Sequence, residues 1–313
     1  VKCFEQALVI KPDFVEAHSN LGISLQELGQ LDDAVKCFKQ ALAINPDFAE
    51  AHNNLGNALY DLGQHDAAVK SFKKALAINP DFADAYNNLG IALKELNQLN
   101  EAVTCYEKAI AIKPDHVEAH NNLGNALNDL GQHDAAVKSY EKTLAIKPGY
   151  AEGHNNLGLA LMELSQLDAS LKSFEKALAI NPDFAETYFN RGILMASLKR
   201  PDKALVSFER ALVLNPDLNF LLGHLLHTKM HLCIWNDLSN SLNELTKKIN
   251  NNEKVIEPFS MLALIDDPEI QRKTAEIFAN KKYQKSYVLP EIGLYPKHKK
   301  IRIGYFSADF REH

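Results

Sequence analysis

Apolar residues recur at steps of three and four along residues 1–218, and the pattern itself recurs every thirty-four residues. Seven prolines mark the period: Pro12, Pro46, Pro80, Pro114, Pro148, Pro182 and Pro216. Counted from three residues after each proline, the full units are 15–48, 49–82, 83–116, 117–150, 151–184 and 185–218, with a half unit at 1–14. The steps of three and four predict a helix in each half of a unit. A fixed period of this length predicts a stack of two-helix units and not a globule around one core.

The places that recur explain how the two helices meet. The seventh place is Leu except at Arg191, and the eighth is Gly22, Gly56, Gly90, Gly124, Gly158 and Gly192. The twentieth is Ala or, at Ser170, Ser, and the twenty-fourth is the aromatic Phe38, Phe72, Tyr106, Tyr140, Phe174 or Phe208. Small residues bring the helices close and a ring fills the space beside them. Gly29, Gly63 and Gly131, with Asn97 as substitute, stand where the first helix must end in a left-handed residue. The pairs Asp13 and Glu16, Asp47 and Glu50, Asp115 and Glu118, and Asp183 and Glu186 predict a capping box, with Asp as N-cap of the next first helix.

Leu-Gly, Ala, Phe, Ala and Pro at this period resemble the tetratricopeptide repeat. The resemblance covers residues 1 to about 218 and implies an all-α, right-handed superhelical solenoid. At the fourth place, where that family often has Trp, stand His18, His52, Tyr86, His120, His154 and Tyr188, read here as space-filling. Residues 219–252 stay helical in pattern but lose the signature; 219–299 are read as a degenerate capping unit, a helical connector and a linker.

The sixth place is Asn in every full unit: Asn20, Asn54, Asn88, Asn122, Asn156 and Asn190. Four units also carry Asn at the fifth place, at Asn53, Asn87, Asn121 and Asn155. Asn is a poor mid-helix residue, about half a kcal/mol worse than Ala. An amide offers donor and acceptor together, so a row of them one repeat apart suits the backbone of an extended polypeptide. The alternatives are that the amides bond across repeats and only hold the stack, or that duplication copied them, since 49–82 and 117–150 are near duplicates. By the resemblance, the second, fifth, ninth and twelfth places also face the groove. The second is acidic throughout: Glu16, Glu50, Asp84, Glu118, Glu152 and Glu186. Modules of the family that clamp a peptide carboxylate need Lys and Arg in the groove, and this place has none, so a neutral or basic segment fits better.

Net charge is −6, from 34 basic against 40 acidic residues, which argues against nucleic acid as partner. No apolar run reaches the roughly 18 residues of a membrane span. Four cysteines without close pairing point to a reducing, cytoplasmic setting. Cys3, Cys37 and Cys105 alternate with Ser at one place and read as fillers. His224, His227 and His231 share a helical face, but Cys233 lies off it and no carboxylate completes a familiar spacing, so no metal ligand is assigned.

Beyond Leu218 the composition changes. Asp267-Pro268-Glu269 predicts a helix start, with the helix running to about Lys282. After Pro290 and Pro296, Ile301–Ser307 reads as a strand and Ala308–His313 as the loop after it. This run, behind a repeat array and a connector, resembles bacterial relatives of the protein O-linked N-acetylglucosamine transferases. The resemblance makes 300–313 the start of a truncated α/β glycosyltransferase domain and both chain ends cuts. It implies UDP-GlcNAc as donor, Ser/Thr hydroxyls of acceptor proteins as targets, and the Asn row as their holder. It makes His313 the active-site histidine proposed as general base, with Asp309 and Phe310 in its loop. Residues 1–313 are then expected to be inactive alone, with no cofactor of their own. A pure interaction scaffold with a diverged transferase domain is the other reading.

Overall fold

The computed structural model describes residues 1–282. The predicted strand at Ile301–Ser307 and the candidates Asp309, Phe310 and His313 lie outside the described residues, within which all regular structure is helical. Helix α1 (Lys2–Ile10) is the half unit. Six pairs follow: α2 (Val15–Glu27) with α3 (Leu31–Ile44), α4 (Ala49–Asp61) with α5 (His65–Ile78), and α6 (Ala83–Glu95) with α7 (Leu99–Ile112). Then come α8 (Val117–Asp129) with α9 (His133–Ile146), α10 (Ala151–Glu163) with α11 (Leu167–Ile180), and α12 (Ala185–Ser197) with α13 (Pro201–Leu214).

Each pair closes on the same contact. The twenty-fourth-place rings are at most 2% exposed, and each lies over the eighth-place glycine. A Cβ added at those glycines would stand between 2.4 and 2.7 Å from the ring, nearer than any real contact. Absence of a side chain at one place is thus what lets a full ring be buried at another. Ala34, Ala68, Ala102, Ala136 and Ala204, all fully buried, complete the close approach.

The first helices end as the sequence suggests, and more uniformly. Gly29, Gly63 and Gly131 have φ of 72–74°, and Asn97, Ser165 and Lys199 take the same left-handed conformation at φ of 57–59°. At each, the next residue's N–H reaches back to the third residue from the helix end, as Gln30 does to Leu25 at 2.9 Å. This is the paired bonding that a left-handed terminal residue allows.

The predicted capping box is corrected. The first helices start one residue later, and their N-caps are Phe14, Phe48, Phe82, His116, Tyr150 and Phe184. Of these only His116 accepts a bond with its side chain, from the Ala119 N–H at 3.4 Å. The aspartates belong to a turn instead: Asn45 Oδ1 accepts from the Asp47 N–H at 3.2 Å, and Asn79, Asn181 and Asn215 do the same for Asp81, Asp183 and Asp217. The second-place acids fall in the first turn, where they favour the helix N-terminus by their charge.

After the array, α14 (Leu221–His231) packs on α13 and touches α12, the place that a further first helix would take. Its Leu221 and Leu225 join the core of α13, while Leu222 and Leu226 face a separate core. That core is completed by Leu245 and Ile249 of α15 (Leu238–Asn250), by Val255 and Ile256, by Met261 of α16 (Pro258–Leu262), and by Ile270 of α17 (Pro268–Lys282). Here the aspartate cap holds: Asp267 Oδ1 accepts from the N–H groups of Glu269 and Ile270 at 2.9 and 3.2 Å.

Candidate polypeptide-binding face

Each first helix touches the first helix of the next repeat, whereas among the described residues no second helix touches another. The stack is therefore tighter on the first-helix side, which makes that side concave. Places three and seven of a first helix turn inward to the core. The second, sixth, ninth and thirteenth, spaced by four, three and four, form one stripe along the opposite face.

The stripe carries three kinds of row. The second-place acids are all exposed, and so are Glu27, Asp61, Glu95, Asp129 and Glu163 at the thirteenth place. Between them run the sixth-place asparagines, exposed at Asn20 and partly buried in the later units. The ninth place is apolar at Ile23, Ile91, Leu159 and Ile193 and an amide at Asn57 and Asn125. The thirteenth-place acids escaped the sequence reading; their signal was a spacing of eleven residues from an acid already noticed.

The amides are joined across repeats. Asn88 Nδ2 donates to Asn53 Oδ1 at 3.2 Å, Asn122 to Asn87 at 3.0 Å, Asn156 to Asn121 at 3.2 Å and Asn190 to Asn155 at 3.0 Å. The fifth-place partners are 2–7% exposed, so they work within the stack and are not open to a ligand. Asn155 Oδ1 also accepts from Thr187, and Asn125 Oδ1 accepts from Asn156 and from the Tyr140 hydroxyl. The sixth-place amides keep unused capacity: each has two N–H donors and an oxygen with two lone pairs, and Asn122 and Asn190 each use one donor. The first fifth-place residue is Ser19, and Asn54 makes no bond of this kind. The same offset of thirty-five residues recurs lower on the helices, where Gln26 donates to Asp61 at 2.6 Å and Lys94 pairs with Asp129 at 3.2 Å. Between α6 and α8 register is thus set twice, once by amides and once by an acid.

The other candidate residues are structural. Nε2 of His18, His52, His120 and His154 lies 2.9–3.0 Å from the carbonyl of the proline six residues earlier, so these rings tie each first helix to the turn before it. Burial lowers the pKa of His52 and His154. Burial pushes the Cys105 thiol up to about 11, as suits an inert filler. His224 turns into the array, between the Phe189 and Phe208 rings, while His227 and His231 stack edge to face. Among the described residues no group of three His, Cys, Asp or Glu side chains is placed to hold a metal. No helix among them is long and apolar enough to cross a membrane.

Sequence profiles described as TPR repeat match residues 24–63, 56–96, 92–129, 124–165 and 158–199, and profiles of the tetratricopeptide repeat match 3–36 and 185–218. The chain belongs to the tetratricopeptide repeat family. Among solved structures it is similar to the APC/C hetero-tetramer Cut9-Hcn1, at 17% identity and a TM-score of 0.64, over 72% of this chain and 45% of that one. PilW, a type IV pilus biogenesis factor, is similar at 22% identity and a TM-score of 0.61, over 66% of this chain and 96% of its own. YrrB, described as a TPR protein with an unusual peptide-binding site, is similar at 24% identity and a TM-score of 0.50, over 62% of this chain and 97% of its own. No curated protein matches the chain.

Proposed function

We propose that the concave face holds an extended, neutral or basic segment of a partner protein. One observation carries the reading: half-exposed amides stand at the pitch of the repeat between two rows of acids, and bonds to a buried second amide fix their orientation. An extended backbone offers a carbonyl and an N–H at regular steps and needs such partners at regular steps. The acid rows favour Lys or Arg on the segment and repel an acidic one. YrrB, with its peptide-binding site, shares the fold.

Through its resemblance to the O-linked N-acetylglucosamine transferases, we assign the array the role of substrate-recruiting arm of a cytoplasmic, sugar-transferring protein. The bound segments then belong to acceptor proteins. Transfer from UDP-GlcNAc to Ser/Thr hydroxyls belongs to the domain that Ile301–His313 opens, with His313 as its candidate base. The second reading, an interaction scaffold without that transfer, draws on the family matches, which end at residue 218. Both share the concave face. Titrating the protein with labelled extended peptides of one length, Lys-containing, uncharged and Glu-containing, tests it. Binding should fall in that order and weaken with salt; equal binding of all three contradicts the reading.

A further inference from the structure

The convex side is as regular as the concave one. Because second helices do not touch each other, each consecutive pair leaves a groove floored by the first helix between them. Between α3 and α5 this groove holds a cavity of about 590 Å³ with His52 and Leu55 in its lining. Three repeats on, between α9 and α11, its counterpart of about 580 Å³ has His154 and Leu157. Between α11 and α13 the groove holds a cavity of about 400 Å³ lined by a different residue, Arg191. That seat is Leu21, Leu55, Leu89, Leu123 and Leu157 in the other five units.

Arg191 is partly buried. Its Nε donates to the Ser207 hydroxyl at 3.1 Å, and Ser207, fully buried, donates onward to the Lys203 carbonyl at 3.0 Å. The guanidinium lies 5.1 Å from the centre of the Tyr188 ring. A guanidinium carries five N–H donors in a fixed fork, and the serine occupies one. The two terminal nitrogens have no protein acceptor among the described residues. Arg200 and Lys203 line the same cavity, and none of the three cations pairs there with a carboxylate. A held, always-charged fork with open donors, in a seat that Leu fills elsewhere, presents those donors to an acceptor that enters the cavity.

We infer that this cavity binds an oxyanion, with a single phosphoryl group as the matching chemistry. The terminal nitrogens of Arg191 take two of its oxygens side by side, and Arg200 and Lys203 close over the rest. Glu175 and Asp202 also line the cavity, so three cations stand against two carboxylates. That small excess suits one phosphoryl group and disfavours a polyanion. The site is on the convex side and does not depend on what the concave face holds.

The test uses the whole 313-residue chain. Inorganic phosphate and a phosphoserine peptide are titrated at constant ionic strength into the wild type, Arg191→Leu and Arg191→Lys. Heat of binding and the Arg191 Nε–H resonance are followed. Arg191→Leu restores the residue of the other five units, and thermal unfolding checks that it folds. Phosphate is expected to bind the wild type and shift that resonance, to bind Arg191→Leu about tenfold more weakly or worse, and to bind Arg191→Lys in between, because the fork is lost but the charge is kept. Tighter binding of the phosphopeptide than of phosphate makes the source a modified polypeptide, and equal binding makes it free phosphate; either supports the site. No binding to the wild type, or equal binding to Arg191→Leu, overturns it.

Discussion

The array and the helices behind it solve the same problem, ending one helix and starting another, by different chemistry. Asp47 and Asp267 stand in similar local sequences, each with an acid two or three residues on. Asp267 caps its helix through two backbone N–H groups. Asp47 lies one residue before the N-cap of its helix, in a turn closed by Asn45. The proline decides between them. Pro268 follows its aspartate and occupies the first helical position, whereas Pro46 precedes its aspartate and belongs to the end of the helix before. The array therefore relies little on side-chain caps and much on a ring over a glycine, repeated in every unit.

The largest effects should come from that ring contact. Gly124→Ala puts a Cβ 2.5 Å from the Tyr140 ring, deep within the stack. A loss of about 1–3 kcal/mol in urea unfolding is expected, as for other overpacked cores. In the second core, Gly223→Ala meets the backbone and side chain of Ile256 at 2.6–2.8 Å. It should loosen α15–α17 while the array stays folded, and hydrogen exchange separates the two regions.

Next come the caps. Asp267→Ala should cost about 1 kcal/mol, and Asp47→Ala clearly less, since its side chain caps nothing. Equal losses would remove the distinction between the two regions. An opposite change sharpens it: Ser165→Gly, at φ of 58°, relieves a left-handed residue and should stabilise the array by up to about 1 kcal/mol.

The smallest effect is one of pH. The neutral rings of His52 and His154 each point Nε2 at a proline carbonyl, and their buried Nδ1 atoms have no partner. Protonation would place a donor there without an acceptor, and burial accordingly lowers both folded pKa values. Their stabilisation is complete above the unfolded histidine value of about 6.5 and is lost as pH falls through the lowered folded values. The melting temperature should therefore be level above neutrality and fall in mild acid. The double variant with Tyr at both sites, the residue of Tyr86 and Tyr188, should flatten that fall.

Much of this was legible in the sequence, and the gaps have physical causes. The period, the glycine-and-ring pair and the ends at Gly29, Gly63 and Gly131 follow from residue types that only one conformation or one space accepts. Ser165 and Lys199 take that left-handed conformation against their preference, with their own and the next N–H bonded back to the helix end, so no residue type announces them. The sixth-place amides stood out as costly mid-helix residues. Their partners did not, because the offset of thirty-five residues is a property of how helices stack and not of any one helix. The cross-repeat bonds also change what the two amide rows do: the fifth-place row supports the stack, and the sixth-place row both joins it and faces outward. The thirteenth-place acids became visible only once the stripe was known.

The central claim is that the sixth-place row binds a polypeptide and does not merely hold the stack. Asn54 separates these roles, since it faces outward without a cross-repeat amide bond, whereas Asn88 and Asn122 carry one each. The decisive measurement is the affinity of a Lys-containing extended peptide for wild type and Asn54→Ala, with urea unfolding of both. A fall in affinity of about fivefold, as one or two lost hydrogen bonds would give, with unfolding unchanged, is expected. Unchanged affinity at unchanged stability would contradict the account.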